Sequence, residues 1–266
     1  MARRPRDKEI NLIVVFDGEK FPSKSREKYK NKFRSVNENN KNRSKYAAKA
    51  VDVTSTMIQD LVVFLRAEGI QCLIAPYEAD SQLAYLERTN MIDAVLTEDS
   101  DLILFGCKKI LFDLSHDAKE AKILCTLGQE DYTELGLKEM THEKFVQVCI
   151  LSGCDYLDNI DNIGMGIAKS LFNKNKTFDA VKAEVESTPS STFPENYWRD
   201  FRRAEIIFKH YLVYDTINPG RRVNMTPIDD SVVNEVGGVS FLRSVEEATG
   251  SPPLVFTVLN RTQPGE

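Results

Sequence analysis

The chain has 266 residues, of which 42% are hydrophobic and 28% are charged, and its formal net charge is −5. This composition is typical of a globular protein with a sizeable core, and it excludes a collagen-like or wholly disordered chain. The charge is divided unevenly, because residues 1–50 carry 15 lysines and arginines against 6 acidic residues, whereas the remainder carries 20 against 34. A basic arm on an acidic body favours a nucleic-acid partner, although a solvated surface segment has the same composition.

Five cysteines without a CxxC pair predict reduced, mostly buried thiols and an intracellular protein. No apolar run approaches the roughly 20 residues that a membrane-spanning helix needs, so no membrane partner is expected. The charged N-terminal sequence MARRPRDKEI is not typical of a secretory signal.

The first half of the chain has the alternation of strands and helices that is typical of a parallel α/β sheet. Apolar runs predict strands at 11–17, 70–76 and 92–97, and helical patterns lie at 51–68, 78–88 and 99–105. Gly69 is the expected stop of the first helix. Two short β-runs, 108–112 and 121–126, are predicted to pair as an edge hairpin. A polar and basic insertion at about 21–50 interrupts the pattern after the first strand.

The second half is predicted to be helical at 141–152, 168–172, 177–186 and 195–211. The stretch that follows is rich in proline, glycine and polar residues. We therefore expect three regions: an α/β core at 11–140, a helical region at 141–212, and a weakly structured tail at 213–266.

Acidic residues follow the predicted strand ends, where open parallel sheets collect their ligands. They are Asp17 after the first strand, Glu78 and Asp80 after the second, Asp99 and Asp101 after the third, and Asp155 after an apolar helix. Crowded carboxylates need a compensating cation, and hard oxygen ligands suit Mg²⁺ or Mn²⁺. Each acid-x-acid pair is a ligand pair only if one member lies in the turn before a helix. In the alternative interpretation, these acids complement helix dipoles.

Such a carboxylate cluster is typical of enzymes in which two divalent ions, about 4 Å apart, promote hydrolysis of a phosphodiester. This chemistry needs no nucleophilic side chain. The chain has only three histidines, His116, His142 and His210, and none stands in a triad-like sequence setting.

A second motif lies at 160–172, IDNIGMGIAKSLF. Gly164 and Gly166 before a helix, with Lys169 in its first turns, resemble the hairpin of helix–hairpin–helix elements that bind DNA phosphates through backbone N–H groups. The alternative is an ordinary tight turn.

Three blocks, APYEADSQLAYL, LTEDSDLILFGCKKIL and FVQVCILSGCDYLDNI, resemble those of the flap endonuclease / exonuclease-1 superfamily of structure-specific 5′ nucleases. VVFDGEKFPSK and CILSGCDYL are similar to the exonuclease-1 branch. The resemblance covers about 11–212. It implies an α/β, parallel-sheet, PIN-like nuclease core with a helical arch at about 21–50, and a helix–two-turn–helix element within 141–212.

The resemblance also implies the functional residues. The metal-site acids are Asp17, Glu78, Asp80, Asp99, Asp101 and Asp155; the catalytic residues are Lys24 together with Asp17, Glu78, Asp99 and Asp101; and the DNA-binding residues are Lys24, Lys30, Lys32, Arg34, Gly164, Gly166 and Lys169. The implied cofactors are two Mg²⁺ ions, replaceable by Mn²⁺, and a K⁺ ion at the helix–two-turn–helix element. The implied partner is DNA with 5′ ends, nicks or 5′ flaps, bound by a monomer in the nucleus during mismatch repair and recombination.

The sequence departs from the family pattern in three places. The family's first strand, with a further metal-site aspartate, does not precede 11–17; Asn31 stands at the expected arch arginine; and Asn162 stands at the first hairpin glycine. The leading hypothesis is a 5′→3′ exonuclease or flap endonuclease. The departures motivate a second hypothesis, a catalytically impaired, structure-specific DNA-binding protein. A third hypothesis is an RNA-directed nuclease with the same metal chemistry.

Overall fold

The computed structural model describes residues 10–21, 53–115, 122–125, 140–175, 177–188, 193–218, 220–235, 238 and 240–242. The four basic residues predicted to bind DNA from the arch lie outside the described residues: Lys24, Lys30, Lys32 and Arg34. His116 lies outside them as well. None of the helices in the described ranges combines the length and the apolar character needed to cross a membrane.

The first two strands pair in parallel, as the apolar runs predict. Strand β1 (Ile13–Phe16) pairs with β2 (Gln71–Ile74). Helix α1 (Ser55–Ala67) precedes β2; the Thr54 side chain accepts a hydrogen bond from the Met57 N–H at its start. Gly69, at φ 77°, ends it in the left-handed region, which confirms the predicted stop.

The remaining strands of the α/β part form a separate ladder. Strand β3 (Val95–Leu96) pairs in parallel with β4 (Lys109–Phe112), which pairs antiparallel with β5 (Lys122–Cys125), and this confirms the predicted edge hairpin. Among the described residues, neither β1 nor β2 pairs with β3, so the three predicted parallel strands lie in two ladders. Strand β3 is only two residues long, and both residues pair with β4.

Two helices connect these strands and place the acids. Helix α2 (Ala79–Arg88) follows β2 across a four-residue connection, and the one-turn helix α3 (Asp101–Leu104) follows β3. Both were predicted in these places, with starts within two residues.

The helical region contains the four predicted helices, with shifted ends: α4 (His142–Leu151), α5 (Met165–Lys174), α6 (Phe178–Ser187) and α7 (Tyr197–His210). Thr141 and Thr177 cap α4 and α6 by accepting backbone N–H groups through their side chains. Helix α5 begins three residues earlier than expected, because Gly164 already serves as its N-cap.

The described part of the region after α7 contains regular elements up to Leu242, whereas the rest of the expected tail, 243–266, lies outside the described residues. Strands β6 (Leu212–Tyr214) and β7 (Arg222–Asn224) form an antiparallel hairpin, followed by α8 (Asp230–Glu235) and a 3₁₀ turn (Ser240–Leu242). Strand β6 is fully buried because it packs against α2, where the Gln82 side chain bonds both the N–H and the carbonyl of Tyr214. This contact spans 132 residues, so local composition could not indicate it.

An aromatic cluster joins the α/β and helical parts. Its members are Phe21, Tyr77, Phe105, Tyr156, Phe208 and Tyr211. The Phe21 and Tyr211 rings stack at 4.5 Å, and the Tyr77 ring meets Phe21 edge-on at 5.2 Å. Tyr77 and Tyr211 are fully buried. The cluster therefore fixes the end of β1, the start of α2 and the end of α7 against one another.

Candidate metal centre and nucleic-acid interface

The end of β1 is held tightly against the connection between β2 and α2. The Gly18 N–H donates to the Tyr77 carbonyl at 2.5 Å, and the Glu19 N–H donates to the Pro76 carbonyl at 3.0 Å. A Cβ atom at Gly18 would lie 1.9 Å from the Ala75 carbonyl oxygen. Only glycine fits this approach, and the approach places Asp17 beside the first turn of α2.

Asp17 is tied to α2 through its side chain. Its Oδ1 atom accepts the N–H of Ala79 at 2.7 Å, across 62 residues of sequence. Ala79 is the first residue of α2, and Glu78, its N-cap, makes no capping bond with its own side chain. Asp17 therefore satisfies one of the free N–H groups at the positive end of this helix.

Both acid-x-acid pairs have one member before a helix and one inside its first turn. Glu78 precedes α2 and Asp80 lies in its first turn. In the second pair, Asp99 precedes α3, and its Oδ1 accepts the N–H of Asp101 at 2.9 Å. The Asp99 N–H itself donates to the Thr97 hydroxyl at 3.0 Å, which fixes this turn directly after β3.

Asp80 interacts electrostatically with acids at all three strand ends. Burial raises its pKa, and the carboxylates of Asp99, Glu78, Asp17 and Asp101 raise it further, to about 7. The structure therefore brings these five acids into one electrostatic neighbourhood, which we call the acid site. An additional cation is the physical means of relieving such crowding.

Two tyrosine hydroxyls bind the carboxylate of Glu78 in the acid site. Its Oε2 atom accepts the hydroxyl of Tyr156 and, at 3.0 Å, the hydroxyl of Tyr211. Burial raises the pKa of both tyrosines, and Glu78 raises both further. They are therefore neutral donors at physiological pH and orient one carboxylate oxygen of Glu78.

Asp155 is connected to this arrangement less directly than the other acids. It is exposed and does not contribute to the raised pKa of Asp80. It is connected indirectly, since both Asp101 and Asp155 raise the pKa of the Cys154 thiol, which burial chiefly brings to about 11. The structure thus brings five of the six predicted metal-site acids together, and Asp155 is linked to them through the Cys154 thiol that it and Asp101 both affect.

The donor chemistry of the acid site fits a hard divalent cation. Its side chains offer carboxylate oxygens, and the nearby Cys149 thiol is kept protonated because burial chiefly raises its pKa to about 12. In the described part of the chain, no three carboxylate, histidine or cysteine side chains are arranged to enclose one metal ion. The acids instead bind protein donors: Asp17 the Ala79 N–H, Asp99 the Asp101 N–H, and Glu78 the two tyrosines.

The turn before α5 carries the second predicted site. Asn162, at φ 66°, takes the left-handed conformation that its side chain tolerates. Gly164 and Gly166 are exposed, and a Cβ atom at either would meet nothing within 4 Å. Lys169 is half-buried on the next turn. No intramolecular contact of the described residues therefore requires these two glycines.

Sequence reasoning missed three residues of the acid site's support. Gly18 had a signal in the Asp-Gly pair at the end of β1, and Tyr156 follows Asp155 directly. Tyr211 carries no signal in sequence, because its bond to Glu78 spans 133 residues.

The sequence comparisons agree with this geometry. The XPG I-region family matches residues 69–155, which contain β2, α2, β3 and α3. Exonuclease 1 of Arabidopsis thaliana is 33% identical over 234 residues, which are 84% of this chain and 31% of the relative. Exonuclease 1 of Danio rerio is 35% identical over 84% of this chain and 29% of its own length. The chain belongs to the flap endonuclease / exonuclease-1 superfamily, in its exonuclease-1 branch. It spans about a third of the length of these superfamily relatives.

Solved structures of the superfamily fold resemble this chain. The catalytic core of Rad2 in complex with DNA substrate is 20% identical, with 88% of this chain and 66% of that chain covered and a TM-score of 0.54. The Holliday junction-resolving enzyme GEN1 in complex with product DNA and Mg²⁺ is 20% identical over 88% of this chain and 51% of that chain, with a TM-score of 0.50. They confirm the predicted PIN-like α/β 5′-nuclease fold.

Proposed function

We propose that this chain is a metal-dependent 5′→3′ exonuclease or 5′-flap endonuclease that hydrolyses DNA phosphodiester bonds. The observation that carries the proposal is that carboxylates from three strand ends lie close enough to interact, with Asp17 bonded to the first N–H of α2 and Asp99 bonded to the N–H of Asp101. A protein gains nothing in stability from such crowding, so its presence favours a functional role in binding cations.

The ligands proposed for two divalent ions, Mg²⁺ or Mn²⁺, are the acid site together with Asp155. Their carboxylate oxygens suit these ions, and GEN1, a fold neighbour, is seen with Mg²⁺ and product DNA. When bound, such ions activate the attacking water and stabilise the charge on the scissile phosphate and the leaving oxygen.

The chain's own residues position this chemistry. Tyr156 and Tyr211 orient Glu78, and the Ala79 N–H fixes Asp17 at the start of α2. Of the described histidines, His210 Nδ1 lies 2.9 Å from the Thr226 carbonyl. Burial chiefly lowers the pKa of His142. Neither residue is among the charged groups that raise the pKa of Asp80, so a histidine base is not part of the proposal.

The DNA contacts proposed for the helical region are the N–H groups at the start of α5. Gly164 and Gly166 leave space for a phosphate to approach the backbone, and Lys169 adds positive charge nearby. A K⁺ ion at this turn and contacts from Lys24, Lys30, Lys32 and Arg34 complete the proposed interface.

The proposed substrate is DNA with 5′ ends, nicks or 5′ flaps, and the proposed setting is nuclear DNA repair, including mismatch repair and recombination, by a monomer. The similarity to exonuclease 1 sequences supports this assignment. It also favours catalysis over a purely DNA-binding role.

The test is cleavage of a 5′-labelled duplex and a 5′-flap substrate in Mg²⁺ by the wild type and by Asp99→Ala/Asp101→Ala. We expect the double variant to lose at least about 100-fold in rate, because two ligands of the ions are removed. Asp93→Ala is the matched control: Asp93 is exposed and precedes β3, at the opposite end of that strand.

Three results would contradict the proposal. Equal cleavage by the wild type and the double variant would assign the activity to another site or protein. Salt-dependent DNA binding without product at any metal concentration would indicate a DNA-binding protein. Cleavage confined to an RNA version of the substrate would indicate an RNA-directed nuclease.

A further inference from the structure

A cavity lies in the helical region beside α7. It has a volume of about 570 Å³, and its walls come from the segment after α4, from α7 and from the 3₁₀ turn. We call it the α7 cavity. Small-molecule sites in proteins have volumes of roughly 300–1,000 Å³, so this cavity is large enough for a small organic molecule.

One face of α7 forms a wall of the α7 cavity. Tyr197, Asp200, Arg203 and Ile207 line it, at the three- and four-residue spacing of a single helix face. The helix therefore brings a phenol and a guanidinium side chain to the same space.

Two buried donors at this wall have no acceptor among the described residues. Tyr197 is only 2% exposed, and neither its hydroxyl nor the buried Nε–H group of Arg203 has a hydrogen-bond partner there. Burial chiefly raises the pKa of the Tyr197 hydroxyl, so this group keeps its proton and remains a donor. A buried donor without an acceptor costs free energy, and a bound acceptor removes that cost.

The positive charge of Arg203 is already compensated. Its Nη1 atom lies 3.5 Å from Asp200 Oδ1, and its guanidinium lies over the Phe241 ring at 5.3 Å. Arg203 is also the only basic residue among the described residues of the lining, whereas the exposed Asp161 adds a carboxylate. The wall therefore offers hydrogen-bond donors to a neutral acceptor but little attraction to an anion.

Apolar side chains make up much of the remaining wall. Ile160, Phe193 and Ile207 line the cavity, and Ile160 and Ile207 are buried in the core. The apolar surface of a ligand gains free energy when it leaves water for such walls. A ligand that matches the cavity therefore combines an apolar body with a neutral oxygen acceptor.

We propose that the α7 cavity binds a small, neutral organic molecule that carries a carbonyl-type oxygen on an apolar or aromatic body. The Tyr197 hydroxyl and the Arg203 Nε–H group donate to oxygen atoms of the ligand, and its body contacts the apolar wall. This site does not depend on the proposed nuclease function. Tyr156 also lines the cavity but binds Glu78, so it is left unchanged in the test.

Fluorinated probes of similar size separate the effects of shape, hydrogen bonding and charge. The ketone para-fluoroacetophenone has a neutral acceptor, its analogue para-fluoroethylbenzene has none, para-fluorobenzoate is an anion, and para-fluorobenzylammonium is a cation. Fluorine NMR relaxation measures the affinity of each probe for the intact chain. We expect saturable binding of the ketone in roughly the millimolar range, and binding of the other probes at least about 5-fold weaker.

Two variants test the donors. Tyr197→Phe keeps the ring and removes the hydroxyl, whereas Arg203→Lys keeps a positive charge beside Asp200 and removes the Nε–H group. Each is expected to weaken binding of the ketone about 3- to 10-fold, because one hydrogen bond is lost, and to leave binding of the ethyl analogue unchanged. Arg199→Lys is the matched control. Arg199 also pairs with Asp200, at 3.3 Å, but is not among the described lining residues, so the ketone affinity should not change.

The stability of Tyr197→Phe without a ligand separates the proposal from a structural role of the hydroxyl. Because the hydroxyl has no partner among the described residues, its removal should not lower the melting temperature measured by circular dichroism. A lower melting temperature would show that the hydroxyl has an acceptor within the protein, and it would overturn the proposal. Absence of saturable ketone binding, equal binding of the ketone and the ethyl analogue, tighter binding of the anion or the cation, or unchanged ketone affinity in both donor variants would overturn it as well.

Discussion

The support of the acid site and the turn before α5 both contain glycine, but for opposite reasons. At Gly18 a Cβ atom would lie 1.9 Å from a backbone oxygen of the β2–α2 connection, so the fold itself demands glycine. At Gly164 and Gly166 a Cβ atom would meet nothing within 4 Å. Gly18 is therefore required for the acids to come together. The other two are dispensable for packing and leave the backbone open to an outside partner.

Gly18→Ala is expected to have the largest effect on stability. The added methyl group collides with the Ala75 and Pro76 carbonyls, which belong to the backbone and cannot move aside like a flexible side chain. We expect the free energy of unfolding to fall by about 2–4 kcal/mol, measured by urea denaturation. Gly166→Ala is the matched control, and no loss is expected there because alanine favours the helix. Equal destabilisation by both substitutions would remove the distinction between the two glycines.

Asp80→Asn is expected to stabilise the protein in the presence of a chelator. The folded pKa of Asp80 is raised to about 7, so its stabilising contribution is complete below the ordinary range of an aspartate and is lost as the pH rises to about 7. The free energy of unfolding of the variant should therefore exceed that of the wild type by about 1–3 kcal/mol at pH 8. The two proteins should be nearly equally stable at pH 4.

The check is urea unfolding of both proteins in EDTA at the two pH values. Mg²⁺ should stabilise the wild type more than the variant, because the proposed ligand is missing from the latter. A variant that is less stable than the wild type at pH 8 would show that Asp80 is not crowded by its acidic neighbours.

The sequence predicted the local elements and the order of the acids, since both depend on short-range patterns. Apolar runs located β1 and β2, and the acids that follow them are found at the same edge. The supports of the acid site were not predictable. Tyr211 reaches Glu78 across 133 residues, and Gln82 reaches Tyr214 across 132. Such contacts depend on tertiary packing, for which a single sequence gives no periodic signal.

Tyr156→Phe and Tyr211→Phe test how rigidly the acid site is supported. Each removes one hydroxyl that donates to the same Glu78 oxygen, and each is expected to reduce the free energy of unfolding by about 1 kcal/mol. The loss of unfolding free energy in the double variant should be smaller than the sum of the two single losses, because the two donors share an acceptor. Additive losses would show that the two hydroxyls act independently, and no loss would show that Glu78 is oriented by other contacts.

Lys169→Ala and Gly166→Ala are expected to have the smallest effects, limited to DNA binding. Loss of a phosphate contact at Lys169 should weaken binding to a 5′-flap duplex about 3- to 5-fold and reduce the salt-dependence slope by about one. Gly166→Ala should weaken binding by a similar factor at unchanged stability. Fluorescence anisotropy over a salt series measures both variants, and unchanged affinity would reduce this turn to a connector between helices.

We propose that the acids at the strand ends hold divalent cations. Calorimetric titration with Mn²⁺, in the absence of DNA, measures this directly for the wild type and for Asp99→Ala/Asp101→Ala. The wild type is predicted to bind Mn²⁺, and the double variant is predicted to bind at least about 10-fold more weakly with an unchanged circular dichroism spectrum. Identical isotherms for the two folded proteins would contradict the claim.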